Sequence, residues 1–193
     1  MYKPDDFNNK IIDENKLISL IEPGNRIFLS SGSAMPVRVA KAIATSENLL
    51  GYDLEIIQIT AARDYFTDES SSNRNYRYKT FHSGETAFEE GYSGKKDYYP
   101  ANLLEIPYLF AIQAIEIDIA VVAASPPDKR GYMNLGIAID VADEVIKNAA
   151  VVIAEVNPNI PITYGDTLIH VDQVDHIIFS DEPLIERKRT PYD

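Results

Sequence analysis

Apolar residues are distributed along this chain in two recurring ways, short unbroken runs and stripes at helical spacing, and the two alternate from one end to the other. Residues 13–21, DENKLISLI, set Leu17, Ile18, Leu20 and Ile21 on one helical face, and Pro23-Gly24 stops that helix. RIFLSS at 26–31 reads as a strand. It enters a small-residue turn, GSAM, and then Pro36, whose fixed φ suits the first position of a helix over PVRVAKAIA. LEIIQIT at 54–60 reads as a second buried strand, and RYKTFH at 77–82 as a third. GETAFEEGYSG at 84–94 reads as a short helix, and Pro107 divides NLLEIPYLFAIQAI into a helical turn and a new helix. Two β-branched runs follow, IDIAVVAA at 117–124 and AVVIAEV at 150–156, with DVADEVIKNA at 140–149 between them as an amphipathic helix and Asp140 as its candidate N-cap. HVDQVDHIIFSD at 170–181 holds one more strand. Nearly continuous apolar strands alternating with helices predict an α/β fold, an open and mostly parallel sheet flanked by helices.

Each β-branched run opens into a loop rich in proline and glycine: SPPDKRGYMNLGIAIDV at 125–141 and NPNIPITYGDTLIHVDQVD at 157–175. Strand exits of this kind are where open α/β sheets bind ligands. Composition narrows the possible chemistry. A length of 193 residues fits one α/β domain, and the absence of cysteine excludes disulfides, thiolate metal sites and a cysteine nucleophile. A net charge of −12 repels phosphate backbones, so nucleic acid is not an expected partner, and any polyanionic ligand needs a local basic or amide pocket. Two basic pairs, Lys95-Lys96 and Lys129-Arg130, are available and read first as solvated loop charges. No run approaches the roughly 20 apolar residues that span a bilayer, and the N-terminus lacks a signal-peptide pattern, so a cytoplasmic protein without membrane attachment is expected. The polar, serine-rich stretch at 64–75 is expected to be a mobile loop.

Three segments are candidates for binding. In SSGSAMP, a strand ends in small residues and a helix begins, leaving backbone amides and a helix dipole that favour carboxylates and phosphates; Ser31, Gly32, Ser33, Ala34 and Met35 could contribute. The same residues also suit a tight βα turn with capping serines. The first proline loop could hold Asn134 and the Gly136 backbone in a site, or form a plain hairpin. The second offers Asn157 and Gly165, with His170 reading as a core histidine bonded to backbone rather than a catalyst. Glu155, at the carboxyl end of a buried strand, invites a raised pKa or a simple strand-end hydrogen bond. No GxGxxG, P-loop, HExxH or GxSxG motif occurs, and no metal site is expected.

Taken in order, RIFLSSGSAMPVRVAKAI, DYYPANLLEIPYLF, IDIAVVAASPPDKRGYMNLGIAIDV and AEVNPNIPITYGDTLIHVDQVDHIIFSDEPL resemble the N-terminal half of the acetyl-CoA hydrolase/transferase family, which includes 4-hydroxybutyrate and acetate CoA-transferases. The likeness is most specific from 117 to 184. It implies a domain over 1–185, with 186–193 beginning a linker to an absent C-terminal catalytic domain. It also implies CoA transfer between carboxylic acids through a glutamate that forms an acyl anhydride and then a glutamyl-CoA thioester, aided by backbone amides at the oxyanion. That glutamate belongs to the second half, so this chain alone is expected to be inactive, with no catalytic residue of its own. Acyl-CoA and small carboxylates are the implied substrates, the CoA thioester being substrate rather than a tightly bound cofactor. The implied partner is the catalytic domain or an equivalent subunit, and self-association is plausible. Two alternatives stay open: a non-catalytic subunit serving a separate catalytic chain, and a sugar-phosphate-binding or isomerase-like domain of related fold.

Overall fold

The computed structural model describes residues 4–60, 63, 65–66, 76–82 and 96–186. Its centre is a sheet of seven strands, all parallel: β1 (Arg26–Leu29), β2 (Glu55–Gln58), β3 (Arg77–Thr80), β4 (Lys96–Tyr98), β5 (Ile119–Ala124), β7 (Val151–Val156) and β9 (His176–Phe179). They lie in the order β4-β3-β2-β1-β5-β7-β9. Two further strands, β6 (Tyr132–Asn134) and β8 (Leu168–His170), form a separate antiparallel pair.

Burial on both faces accounts for the unbroken apolar runs. Along β1, Ile27 and Leu29 pack with Leu17, Val39 and Ile43 from α1 (Glu14–Ser19) and α2 (Val37–Thr45). Phe28 points the other way, into the layer of α3 (Ile106–Ala111) and α4 (Ala142–Asn148), where Phe110, Val145 and Ile146 lie. β5 repeats this alternation, with Ile119 and Val121 on the first side and Ala120, Val122 and Ala124 on the second. The fold is therefore three layers, helix, sheet and helix.

Most expected elements appear within a residue or two of their sequence limits. Pro36 occupies the N-cap of α2 rather than its first turn. Asp140 is not the cap of α4: its φ is +44° and Val141 holds the cap position without a side-chain bond, because the chain turns sharply between β6 and the helix. The expected helix at 84–94, Lys95, most of the serine-rich stretch and residues 187–193 of the tail lie outside the described residues; Phe66, within that stretch, is fully buried against Tyr76 and Tyr78. β4 and β8 escape the hydrophobic pattern because each is three residues long, and KDY has no apolar alternation. Among the described residues no helix is long and apolar enough to cross a membrane.

Candidate functional site

Strand order reverses direction at β1, which has β2 on one side and β5 on the other. Loops leaving neighbouring strands on either side of such a point diverge and open a crevice at their carboxyl ends. Here the two loops at that point are the 30–36 turn after β1 and Ser125-Pro126-Pro127 after β5. Asn157 leaves β7 at the same edge.

The 30–36 turn is anchored from below. The Ser31 hydroxyl accepts from the amides of Ile59 at 2.9 Å and Thr60 at 3.4 Å, and the Gly32 amide donates to the Thr60 carbonyl. Buried Gln58 donates to the Ser30 carbonyl at 3.0 Å and accepts from the Tyr78 hydroxyl at 2.9 Å. Gly32 adopts φ +57° and starts a single 3-10 turn, in which the Ala34 and Met35 amides donate to the carbonyls of Ser31 and Gly32. Ala34 and Met35 are buried. Ser33 is half-exposed, and neither its amide nor its hydroxyl bonds to any described residue, so within the turn it is the group that faces outward with donors to offer.

The positive end of α2, next along the chain, is already occupied. Pro36 provides no side-chain cap, and the Glu155 carboxylate crosses from β7 to take its place, accepting from the Val39 amide at 2.9 Å and the Arg38 amide at 3.3 Å. Burial pushes the Glu155 pKa up, while those two amides and Ser180 pull it down. An anion is bound at this helix start, as the strand-turn-helix pattern suggests, but it belongs to the protein. The sequence carried a signal of this arrangement, a helix start without a capping side chain, which the strand-end reading of Glu155 did not connect to it.

The two proline loops do not act separately. β6 from the first pairs with β8 from the second, Met133 facing Ile169 and Asn134 facing Leu168. Ser125 and Asn134 join their ends: the Ser125 amide donates to the Asn134 carbonyl at 2.8 Å and the Asn134 amide to the Ser125 hydroxyl at 2.9 Å. The buried Asn134 side chain donates to Thr163 O and Thr167 Oγ1 and accepts from the Gly136 and Thr163 amides. All of its hydrogen-bonding capacity is thus spent on holding the second loop to the first. Asp128 closes the proline turn by accepting from the Arg130 and Tyr132 amides, which hold its carboxyl below the usual range.

Asn157, also buried, accepts from the Asn159 amide and donates to the Glu182 carbonyl, tying the second loop to the segment after β9. Gly165 sits at an open turn with φ +106°. His170 bonds the Arg130 carbonyl through Nε2 at 2.9 Å and packs edge-on against Tyr132, consistent with a structural histidine. Of the residues read from the sequence as binding groups, the fold gathers Ser31, Gly32, Ser33, Ala34 and Met35 into one turn and places Asn134, Gly136 and Asn157 in the adjoining loop assembly; Gly165 lies on its exposed rim. Ser125, Thr163 and Thr167 complete the network and were not singled out by pattern. Two shallow hollows, about 260 and 300 Å³, lie elsewhere, the first against the outer face of α2 and the second near the start of β5. Both cations of the first hollow are paired, Arg38 with Glu14 and Lys41 with Glu182. Among the described residues no three potential metal-ligating side chains cluster.

Comparison with known proteins places this geometry in context. The family model described as the acetyl-CoA hydrolase/transferase N-terminal domain matches residues 1–186. The 4-hydroxybutyrate coenzyme A transferase of Clostridium kluyveri is 32% identical over 181 residues, which is 93% of this chain and 42% of that protein. The succinyl-CoA:acetate/propanoyl-CoA:succinate CoA transferase of Fasciola hepatica is 30% identical over 181 residues, 92% of this chain and 37% of that protein. Among solved structures, RipA from Yersinia pestis superposes with a TM-score of 0.84 at 24% identity, covering 97% of this chain and 46% of the other. The chain spans less than half the length of the curated relatives it matches.

Proposed function

The chain belongs to the acetyl-CoA hydrolase/transferase family through its N-terminal domain, and on that premise we propose that it forms the acyl and carboxylate wall of a cleft in which CoA passes between carboxylic acids. Residues 1–185 are that wall, 186–193 lead toward a catalytic half, and the reaction takes place in the cytoplasm. The observation that carries the reading is the turn at the strand-order reversal, where Ser33 presents an amide and a hydroxyl with no partner among the described residues. In this reading the Ser31, Gly32, Ser33, Ala34 and Met35 turn meets the acyl or carboxylate group through the donors at Ser33, with buried Ala34 and Met35 anchoring the turn to the core. Asn134, Gly136, Asn157 and Gly165 shape the adjoining wall, the two asparagines by holding it in position.

The nucleophile comes from the other half. Support for this lies in Glu155, the buried carboxylate of the carboxyl edge, which spends its oxygens on the Arg38 and Val39 amides and faces helix α2. A carboxylate so engaged is a poor nucleophile, because attack would strip two buried amides of their acceptor. CoA itself, a polyanion, is held mainly by the partner half, since this domain carries a net charge of −12.

Isothermal titration of the 193-residue chain with acetyl-CoA tests the reading. Binding weaker than about 10 μM is expected, and no butyryl-CoA forms when butyrate is added as acceptor. Affinity tighter than about 1 μM, or turnover by the chain alone, would overturn it.

A further inference from the structure

One face of the β6–β8 pair is buried and the other is covered only in part, at Asn134. Met133 and Ile169 are buried against the core, whereas Leu168 stands on the opposite face, 53% exposed, beside half-exposed Tyr132. The second loop enlarges this outer face. Ile162 and Tyr164 flank Thr163, which is bonded to Asn134 and Gly136, and they are 69% and 101% exposed; Ile137, next to Gly136, is 50% exposed. Thr163 therefore brings the four into one neighbourhood, with Tyr132 at its margin.

These side chains are not on a loosely tethered loop. The Asn134 side chain spends every one of its polar groups there, the Thr163 hydroxyl donates to the Gly136 carbonyl at 2.8 Å, and Gly136 lies so close to Ile160 that a Cβ would approach its Cγ2 to 2.5 Å. A buried polar network that fixes isoleucine, leucine and tyrosine in water makes physical sense where something else covers them.

What covers them is indicated by the course of the chain. After β9, the carbonyls of Asp181 and Glu182 accept from Asn159, and Glu182 also accepts from Asn157, at the start of this same loop. The segment beyond the last strand therefore leaves beside the apolar rim. In the curated relatives more than half of the protein lies outside the matched region.

We infer that the outer face of β6–β8, with Ile137, Ile162, Tyr164 and Leu168 at its centre, is the seat on which the catalytic half of the enzyme docks. The inference rests on the proposed role of this chain as one wall of a two-part cleft, and it assigns the surface through which the parts meet. Asn134 is joined to Ser125 at the exit of β5, so the pair that carries the rim is tied to the edge where the strand order reverses. The apolar stripe of Leu104, Tyr108 and Ile112 along α3 is the competing surface.

The test is co-expression of the tagged chain with the portion of the Clostridium kluyveri relative that follows its matched region, then hydrogen exchange on the purified complex. The expected result is that amides at 132–137 and 160–168 exchange at least about tenfold more slowly than in the chain alone, while 104–112 are unchanged. The double variant Ile162→Asp, Tyr164→Asp keeps the melting temperature of the chain, since both side chains are solvated, and weakens the complex by at least about 100-fold. An active complex protected at α3 instead of the rim overturns the docking surface and leaves the proposed function intact. A complex that fails to form, or forms without CoA transfer, overturns both. Self-association of the chain through the rim, abolished by the double variant, assigns the face to a second copy and overturns the inference.

Discussion

Glu155 shows how one buried side chain can decide what a binding motif is for. A strand that ends in small residues before a helix ordinarily offers its amides to a ligand. Here the second and third residues of α2 donate to a carboxylate from the neighbouring strand, so only the turn ahead of the helix remains open. Replacing Glu155 with alanine leaves the Arg38 and Val39 amides buried without an acceptor, and a stability loss of about 2–4 kcal/mol is expected in urea denaturation. A loss below about 0.5 kcal/mol would show that water replaces the carboxylate without cost. The ionisation of Glu155 makes a separate prediction. Burial raises its pKa in the folded protein, so between the ordinary glutamate value of about 4.3 and that raised value the native state holds more proton than the unfolded chain. Stability from this group is therefore fully present below about pH 4.3 and is lost as pH rises through the folded pKa. Glu155→Gln, which cannot titrate, removes this component; the stability advantage of wild type over the variant should shrink as pH rises across that window. A difference that grows with pH would contradict the raised pKa.

At the level of elements, the small β6–β8 sheet is more than decoration on the main one, because it converts two separate strand exits into one rigid body. Its integrity depends on two close approaches. Gly136, at φ +73°, lies against Ile160, and Gly131, at φ +85°, lies against the His170 ring, 2.7 Å from where a Cβ would stand. Gly165 has a positive φ as well but open space around it. Alanine at Gly165 should accordingly cost only the backbone term, about 1 kcal/mol, whereas alanine at Gly136 should cost about 2–4 kcal/mol, the excess arising from the clash with Ile160. Chemical denaturation of the two variants side by side measures the gap. Equal costs would mean that the loop shifts freely from β6 and that the assembly is not rigid.

For the molecule as a whole, charge sets the terms of any encounter with CoA. A domain with net charge −12 repels a polyanion at long range, and that repulsion is screened by salt. Residual binding of acetyl-CoA to the chain alone should therefore hold steady or tighten between about 20 and 200 mM salt, as titration at the two ionic strengths would show. A tenfold weakening would instead signal a built phosphate pocket, since phosphate contacts release counterions and lose affinity with salt. The seven parallel strands give the same molecule its stiffness. Both faces of its central strands are buried, so the loops at the strand-order reversal are carried on a frame held by burial as well as by the strand ladder.

Local chemistry is enough to specify that frame. The runs around Phe28, Ile57, Val121 and Ile153 are apolar on both faces, and only a covered parallel sheet satisfies them, so the α/β architecture and the position of its strand exits follow from the sequence itself. The same holds for the Ser31–Met35 turn and for the turns at Gly131 and Gly165, whose residue types encode their own backbone geometry. Pairings between distant segments are a different matter. Glu155 meets Val39 across 116 positions, Asn134 meets Thr167 across 33, and β6 finds β8 rather than β5. Hydrogen-bond partners and three-residue strands leave no periodic trace, because each is selected by proximity that exists only once the large sheet has formed. Tertiary structure therefore decided which polar groups are spent inside the fold and which, at Ser33 and along the rim of Ile162 and Tyr164, face outward.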